Sequence, residues 1–238
     1  MRNDHEHARR DFFWNAAVLG CGLVLPGELG WARPGKDSEK ATEKKEDVTP
    51  TEDLMREHGL LNRVLLIYEE AVRRLEGKQD MPPETLASAA GIIRHFIEDY
   101  HEKLEEDYLF PRFEKAHKLV ELVKMLREQH RAGRHLTAQV EQLSTLAAFK
   151  NADDRRKLSQ SLHEFIRMYR PHEAREDTVL FPALRSIVSP HEFAALGEQF
   201  EDKEHELFGE EGFEKMVEKV AELEKTLGIY NLAQFTPR

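Results

Sequence analysis

A single cysteine, Cys21, in 238 residues excludes an intramolecular disulfide and any thiolate-held metal cluster. Basic residues do not predominate either: 35 Lys and Arg stand against 45 Asp and Glu, giving a formal net charge of −10, and aromatics are only 8%. That balance excludes the broad basic face needed for general binding to nucleic acid or an anionic membrane. The longest apolar run, near the N-terminus, falls short of the ~18–20 residues of a membrane-spanning helix, so no span is expected in the mature chain. The chain has no nucleophile elbow, phosphate loop or CxxC pair. Any metal must therefore be held by nitrogen and oxygen, and twelve histidines are available.

Residues 1–32 read as an export signal. Arg9 and Arg10 precede Phe12 and Phe13, and the apolar run that follows ends near Leu25, before Pro26. This order resembles a twin-arginine signal, with Gly30-Trp31-Ala32 as a small-residue cleavage site and a periplasmic or otherwise exported destination. That route carries folded proteins and suits a cofactor loaded beforehand. Residues 33–50 contain almost no large apolar side chain and read as a disordered linker.

What the chain does have is a long internal repeat. HEKLEEDYLFP from His101 to Pro111 returns as HEAREDTVLFP from His172 to Pro182, an offset of 71 residues. His58 and His130 repeat at an offset of 72. A period this long implies a duplicated helical hairpin rather than an array of short repeats. Apolar residues at three- and four-residue steps predict four helices over 51–188, in an all-α, up-down-up-down four-helix bundle. His58 lies between Leu54 and Leu61 on one buried stripe. His101 extends the stripe of Leu86, Ala90, Ile93 and Ile97. His130 follows Leu126, and His172 follows Phe165 and Tyr169. His95 and His135 fall off these stripes. Pro171 is expected to kink the fourth helix, and the second helix is expected to end at its Leu-Phe-Pro turn. Gly133 removes side-chain bulk beside His130 and leaves room for close packing or a small ligand. Residues 189–238 read as a C-terminal helical extension that covers the bundle or meets a partner.

Burying four imidazoles and two carboxylates on apolar stripes is costly unless cations compensate them. His-x-x-x-Glu sets a nitrogen and an oxygen donor one turn apart on one face. Two such pairs, His101 with Glu105 and His172 with Glu176, plus His58 and His130, divide evenly between two metals. Mixed nitrogen and oxygen donors favour iron over calcium or magnesium and leave zinc and manganese open. Glu106 and Asp177, five residues after their histidines, compete with Glu105 and Glu176. The latter two are preferred because both copies share them and they lie closer to the histidine's face.

These residues resemble the hemerythrin-like family of HHE cation-binding domains over about 51–188. The resemblance rests on His58, on His101 and Glu105 with their Leu-Phe-Pro, on His130, and on His172 and Glu176 with theirs. It implies two iron ions in a non-haem, carboxylate-bridged centre that binds a small diatomic ligand, O2 or NO, for sensing, storage or detoxification. A possible redox partner protein goes with it. The alternatives are a di-iron oxidase, peroxidase or NO reductase, or an iron-storage protein. The animal oxygen carriers of this family have a further histidine where Arg134 stands, with His135 one residue late. The set here looks more like the bacterial iron-sulfur repair proteins, whose cysteine-containing N-terminal module is absent.

Overall fold

A computed structural model describes residues 48–237, so the segment read as a signal and all but the end of the linker lie outside the described residues. Seven helices follow, with no strand among the described residues. α1 is Pro50–Glu76. α2 spans 83–115 and α3 is Val120–Leu143. The five-residue α4, Leu146–Lys150, leads into α5, which spans 152–184. α6 is Pro190–Phe208 and α7 is Gly212–Leu227.

Local signals set the ends. Thr49 and Glu52 form a reciprocal capping box, the Thr49 hydroxyl accepting from the Glu52 amide (3.3 Å) and the Glu52 carboxylate from the Thr49 amide (2.9 Å). The side chains of Asn151 and Ser189 cap α5 and α6. Gly228 stops α7 in the left-handed region (φ 72°), where glycine carries no Cβ penalty.

Short connections make consecutive long helices antiparallel, and α1, α2, α3 and α5 form the up-down-up-down four-helix bundle that the apolar periodicity predicts. Its core includes Leu54, Leu61, Tyr68, Ile97, Leu126, Phe165 and Leu180, all buried. α6 and α7 lie against the α1–α2 hairpin. Phe208 packs on Phe96 and Tyr100 at ring distances of 5.4 and 5.5 Å, and Arg63 forks onto the Glu224 carboxylate at 3.0 and 2.6 Å. The extension therefore covers the bundle. No helix among the described residues is long and apolar enough to cross a membrane.

One expectation fails instructively. The second helix does not end at its Leu-Phe-Pro: α2 continues through Pro111 to Lys115, just as α5 runs on through Pro182 to Leu184. The preceding turns widen into π-helix instead, over Glu105–Leu109 and Glu176–Leu180. A proline ring clashes with the carbonyl four residues back, and a wider turn relieves that clash without ending the helix. In consequence the Phe110 amide bonds the Glu105 carbonyl and the Phe181 amide bonds the Glu176 carbonyl, each five residues back. A further π segment, Ile93–His101, ends on the α2 histidine. Such wide turns recur at functional sites because they re-aim side chains without breaking the helix. α5 also runs on through Pro171, whose side chain is exposed.

Candidate metal centre

The six residues singled out in the sequence converge in the middle of the bundle, and all are buried: His58, His101, Glu105, His130, His172 and Glu176. Each long helix carries one histidine inward. The Nε2 atoms meet in pairs, His58 with His101 at 3.0 Å and His130 with His172 at 3.3 Å. The two carboxylates lie between the pairs. Glu105 Oε2 is 3.8 Å from His101 Nε2 and 3.4 Å from His130 Nε2. Glu176 Oε2 is 3.1 Å from His172 Nε2 and 3.4 Å from His58 Nε2. Each carboxylate thus touches one imidazole of each pair. Donor atoms of Glu105, His130, His172 and Glu176 lie within 4.8 Å of one another, as do those of His58, His101 and Glu105.

Every imidazole is held from behind through Nδ1. His58 pairs with Asp177 (2.7 Å), His101 with Glu57 (2.6 Å), His130 with Glu106 (3.1 Å) and His172 with Gln129 (2.9 Å). These bonds fix the rings and leave each Nε2 as the inward nitrogen. Glu106 and Asp177, the competitors of Glu105 and Glu176, therefore stand behind histidines rather than between them. The arrangement repeats with the hairpin: Glu57 and Gln129 each precede a histidine and brace the next helix. Glu106 and Asp177 each follow a histidine by five residues and brace the other hairpin. The Leu-Phe-Pro rings complete the walls, Phe181 stacked on His58 and Phe110 on His130, both at 5.5 Å.

Electrostatics separate the members. Burial pushes the Glu105 carboxyl well above its usual range, and the nearby Glu176 adds to this. Burial acts on Glu176 in the same sense, but His172 and His58 outweigh it and hold the carboxyl well below. Burial opposes charge on His58 as well, yet its bond to Asp177 and the adjacent Glu176 carboxylate win and push it up to about 10. Burial lowers His101 well below the ordinary histidine range and brings His130 down to about 4.

No oxygen of Glu105 or Glu176 accepts a hydrogen bond. Fully buried carboxyl oxygens without partners are rare, and each costs on the order of 1–3 kcal/mol or more unless something compensates it. Four convergent imidazole nitrogens and four unpartnered carboxyl oxygens are the donor set of a transition-metal site, so the residues fit a pair of cations.

The space beside Gly133 is taken up by the protein itself. A Cβ there would lie 2.1 Å from the Tyr169 hydroxyl, so the glycine makes room for that phenol rather than for an exogenous ligand. Tyr169 donates to the buried Glu102 carboxylate (2.6 Å), and its ring lies 5.4 Å from that of His172. Arg134 turns to Glu102 and Glu106, at 2.7 and 2.8 Å. Tyr68 is buried in the core, whereas Tyr108 is half-buried against Phe200. His95, His135, His191 and His205 are exposed.

Sequence reasoning gave no role to Glu57 and Gln129, and weighed Glu106 and Asp177 only as competing ligands before setting them aside. The available signal was the repeat itself, since all four recur at the 71- or 72-residue offset.

Comparison with known proteins agrees with this geometry. The Hemerythrin HHE cation binding domain matches residues 49–152 and again 122–236. Two mycobacterial relatives, the uncharacterized proteins Mb2018 of Mycobacterium bovis and Rv1995 of Mycobacterium tuberculosis, are each 53% identical over 205 residues, 86% of this chain and 80% of theirs. No solved structure gives a significant match.

Proposed function

Because the chain belongs to the hemerythrin HHE cation-binding domain family, we propose that it is a non-haem di-iron protein that binds a small diatomic ligand, O2 or NO. His58 and His101 would hold one ion and His130 and His172 the other, with Glu105 and Glu176 shared between them. The observation that carries this reading is the placement of each carboxylate against one imidazole of each pair. That division would offer each ion two imidazole nitrogens and a share of two carboxylates, a donor set with room for a further small ligand. When bound, the metal pair supplies reversible electron transfer and Lewis acidity.

The chain's own residues contribute enclosure and orientation. Phe110 and Phe181 wall the site, the four Nδ1 bonds fix the rings, and the buried Tyr169–Glu102 bond keeps a hydroxyl close by. This last feature specifically favours a second reading, a di-iron redox enzyme, because a phenol bonded to a carboxylate can give up its proton locally. Oxygen-free purification, metal analysis and exposure to O2 or NO test the two. Two irons with a reversible optical change support the binding protein, and sustained turnover supports the enzyme. Neither outcome is compatible with a chain that binds no iron.

The paired arginines support an exported protein. A mature chain beginning at Arg33 by mass spectrometry is the expected result, and an intact N-terminus in purified exported protein contradicts it.

A further inference from the structure

The two halves of the centre occupy equivalent places in the duplicated hairpins, but their backing residues differ in charge. His101 is braced by a carboxylate, Glu57, whereas the equivalent His172 is braced by an amide, Gln129 (2.6 and 2.9 Å). His58 is braced by Asp177 (2.7 Å). The equivalent brace on His130 is Glu106, but two cations share its carboxylate: Arg134 at 2.8 Å and Lys103 at 2.5 Å. The His58–His101 pair therefore has an anionic brace on both rings. The His130–His172 pair has a neutral brace on one ring and a largely neutralised brace on the other.

A carboxylate accepting the Nδ1 proton makes the opposite nitrogen a stronger donor, while an amide does so far less. Anions near a cation also lower its energy directly, and this effect is large in a water-poor core. From this difference we propose that the two metal positions are unequal by construction. The His58–His101 position binds the first ion tightly, the His130–His172 position takes the second ion more weakly, and Gln129 sets the gap. The proposal rests on the two-metal reading above and adds to it the order of loading and the residue that controls it.

Repulsion between two ions weakens the second step even in a symmetric site, so two unequal steps alone decide nothing. The decisive readout is which step each isosteric substitution moves. Co2+ is titrated under argon into metal-free full-length protein against a competing chelator, with absorbance as the signal and circular dichroism as a check on helix content. Gln129→Glu is expected to tighten the weaker step, and Glu57→Gln to loosen the stronger one, each by roughly 10- to 100-fold. Failure of either folded variant to move its own step, or movement of the other step instead, overturns the proposal. If Gln129→Glu does not fold, Glu57→Gln decides alone. A wild-type chain that takes up no ion overturns the two-metal reading itself. Two bound ions whose steps ignore both substitutions overturn only the inequality.

Discussion

One methyl group added at Gly133 is enough to test how tightly the wall of the centre is packed. In Gly133→Ala the new Cβ falls 2.1 Å from the Tyr169 hydroxyl and 2.8 and 2.9 Å from its ring carbons. The phenol cannot simply swing aside, because its ring is stacked on Phe165 at 4.3 Å and set against His172 at 5.4 Å. Its hydroxyl is also tied to the buried Glu102 at 2.6 Å. Forcing an extra carbon into such a core costs about 1–3 kcal/mol. Displacing the phenol strands the Glu102 oxygen and adds about 1–3 kcal/mol. Alanine is the better helix former by about 1 kcal/mol, which offsets part of this. A net loss of about 3 kcal/mol is expected, or about 6–12 °C in Tm for a domain of this size. Urea unfolding of the metal-free protein measures it. In a Tyr169→Phe background the closest contact is gone but the ring contacts remain, so the same substitution should cost at least about 1 kcal/mol less. A neutral or stabilising Gly133→Ala, as helix propensity alone predicts, would show that the phenol moves freely and refute the packing argument.

Four further outcomes follow from the same geometry. Glu105→Ala and Glu176→Ala each remove a carboxylate that touches one imidazole of each pair, and should bring metal content below one ion per chain, measured by plasma mass spectrometry. Glu106→Ala and Asp177→Ala should keep two ions at saturating metal, with affinity lowered roughly 10- to 100-fold, because they act only from behind the rings. Glu98 supplies a pH test: burial pushes its carboxyl up to about 7, against the pull of Thr137 and Arg94. From about pH 4.5 to 7 the folded chain holds a proton that the unfolded chain has lost, so stability falls as pH rises through that window and flattens above it. Glu98→Gln should remove about 3 kcal/mol of this slope in pH-dependent urea unfolding, and an unchanged slope would contradict the assignment. Finally, metal at 100-fold above its dissociation constant should stabilise the chain by about 2.7 kcal/mol, and a chelator should reverse that shift in a thermal melt.

The bundle was legible because its signal is redundant. Four apolar stripes at helical spacing, related by one offset, leave little choice but two copies of one hairpin packed face to face. The convergence of His58, His101, His130 and His172 follows from the same stripes, since a polar residue on an apolar face points where that face points. The braces behind the rings were not legible for a geometric reason. Glu57 and Gln129 lie about 100° round the helix from the histidine beside them, which on one helix reads as departure from the site. They serve a histidine on the neighbouring helix, and such cross-helix relations have no local spacing. The π segments were hidden too, because a shift in hydrogen-bond partner leaves composition and apolar period almost unchanged. Pro111 pointed to a break, and the helix answered with a wider turn. Gly133 showed that space was needed but not what filled it.

The central claim is a dinuclear centre with open positions, and iron content per chain on protein purified without oxygen tests it most directly. The optical spectrum is then followed through cycles of oxygen and argon, and of NO. Two irons per chain, with a spectral change on adding either gas, are what the arrangement of Glu105 and Glu176 between two histidine pairs predicts. One iron, no metal, or two ions whose spectrum ignores both gases would contradict it.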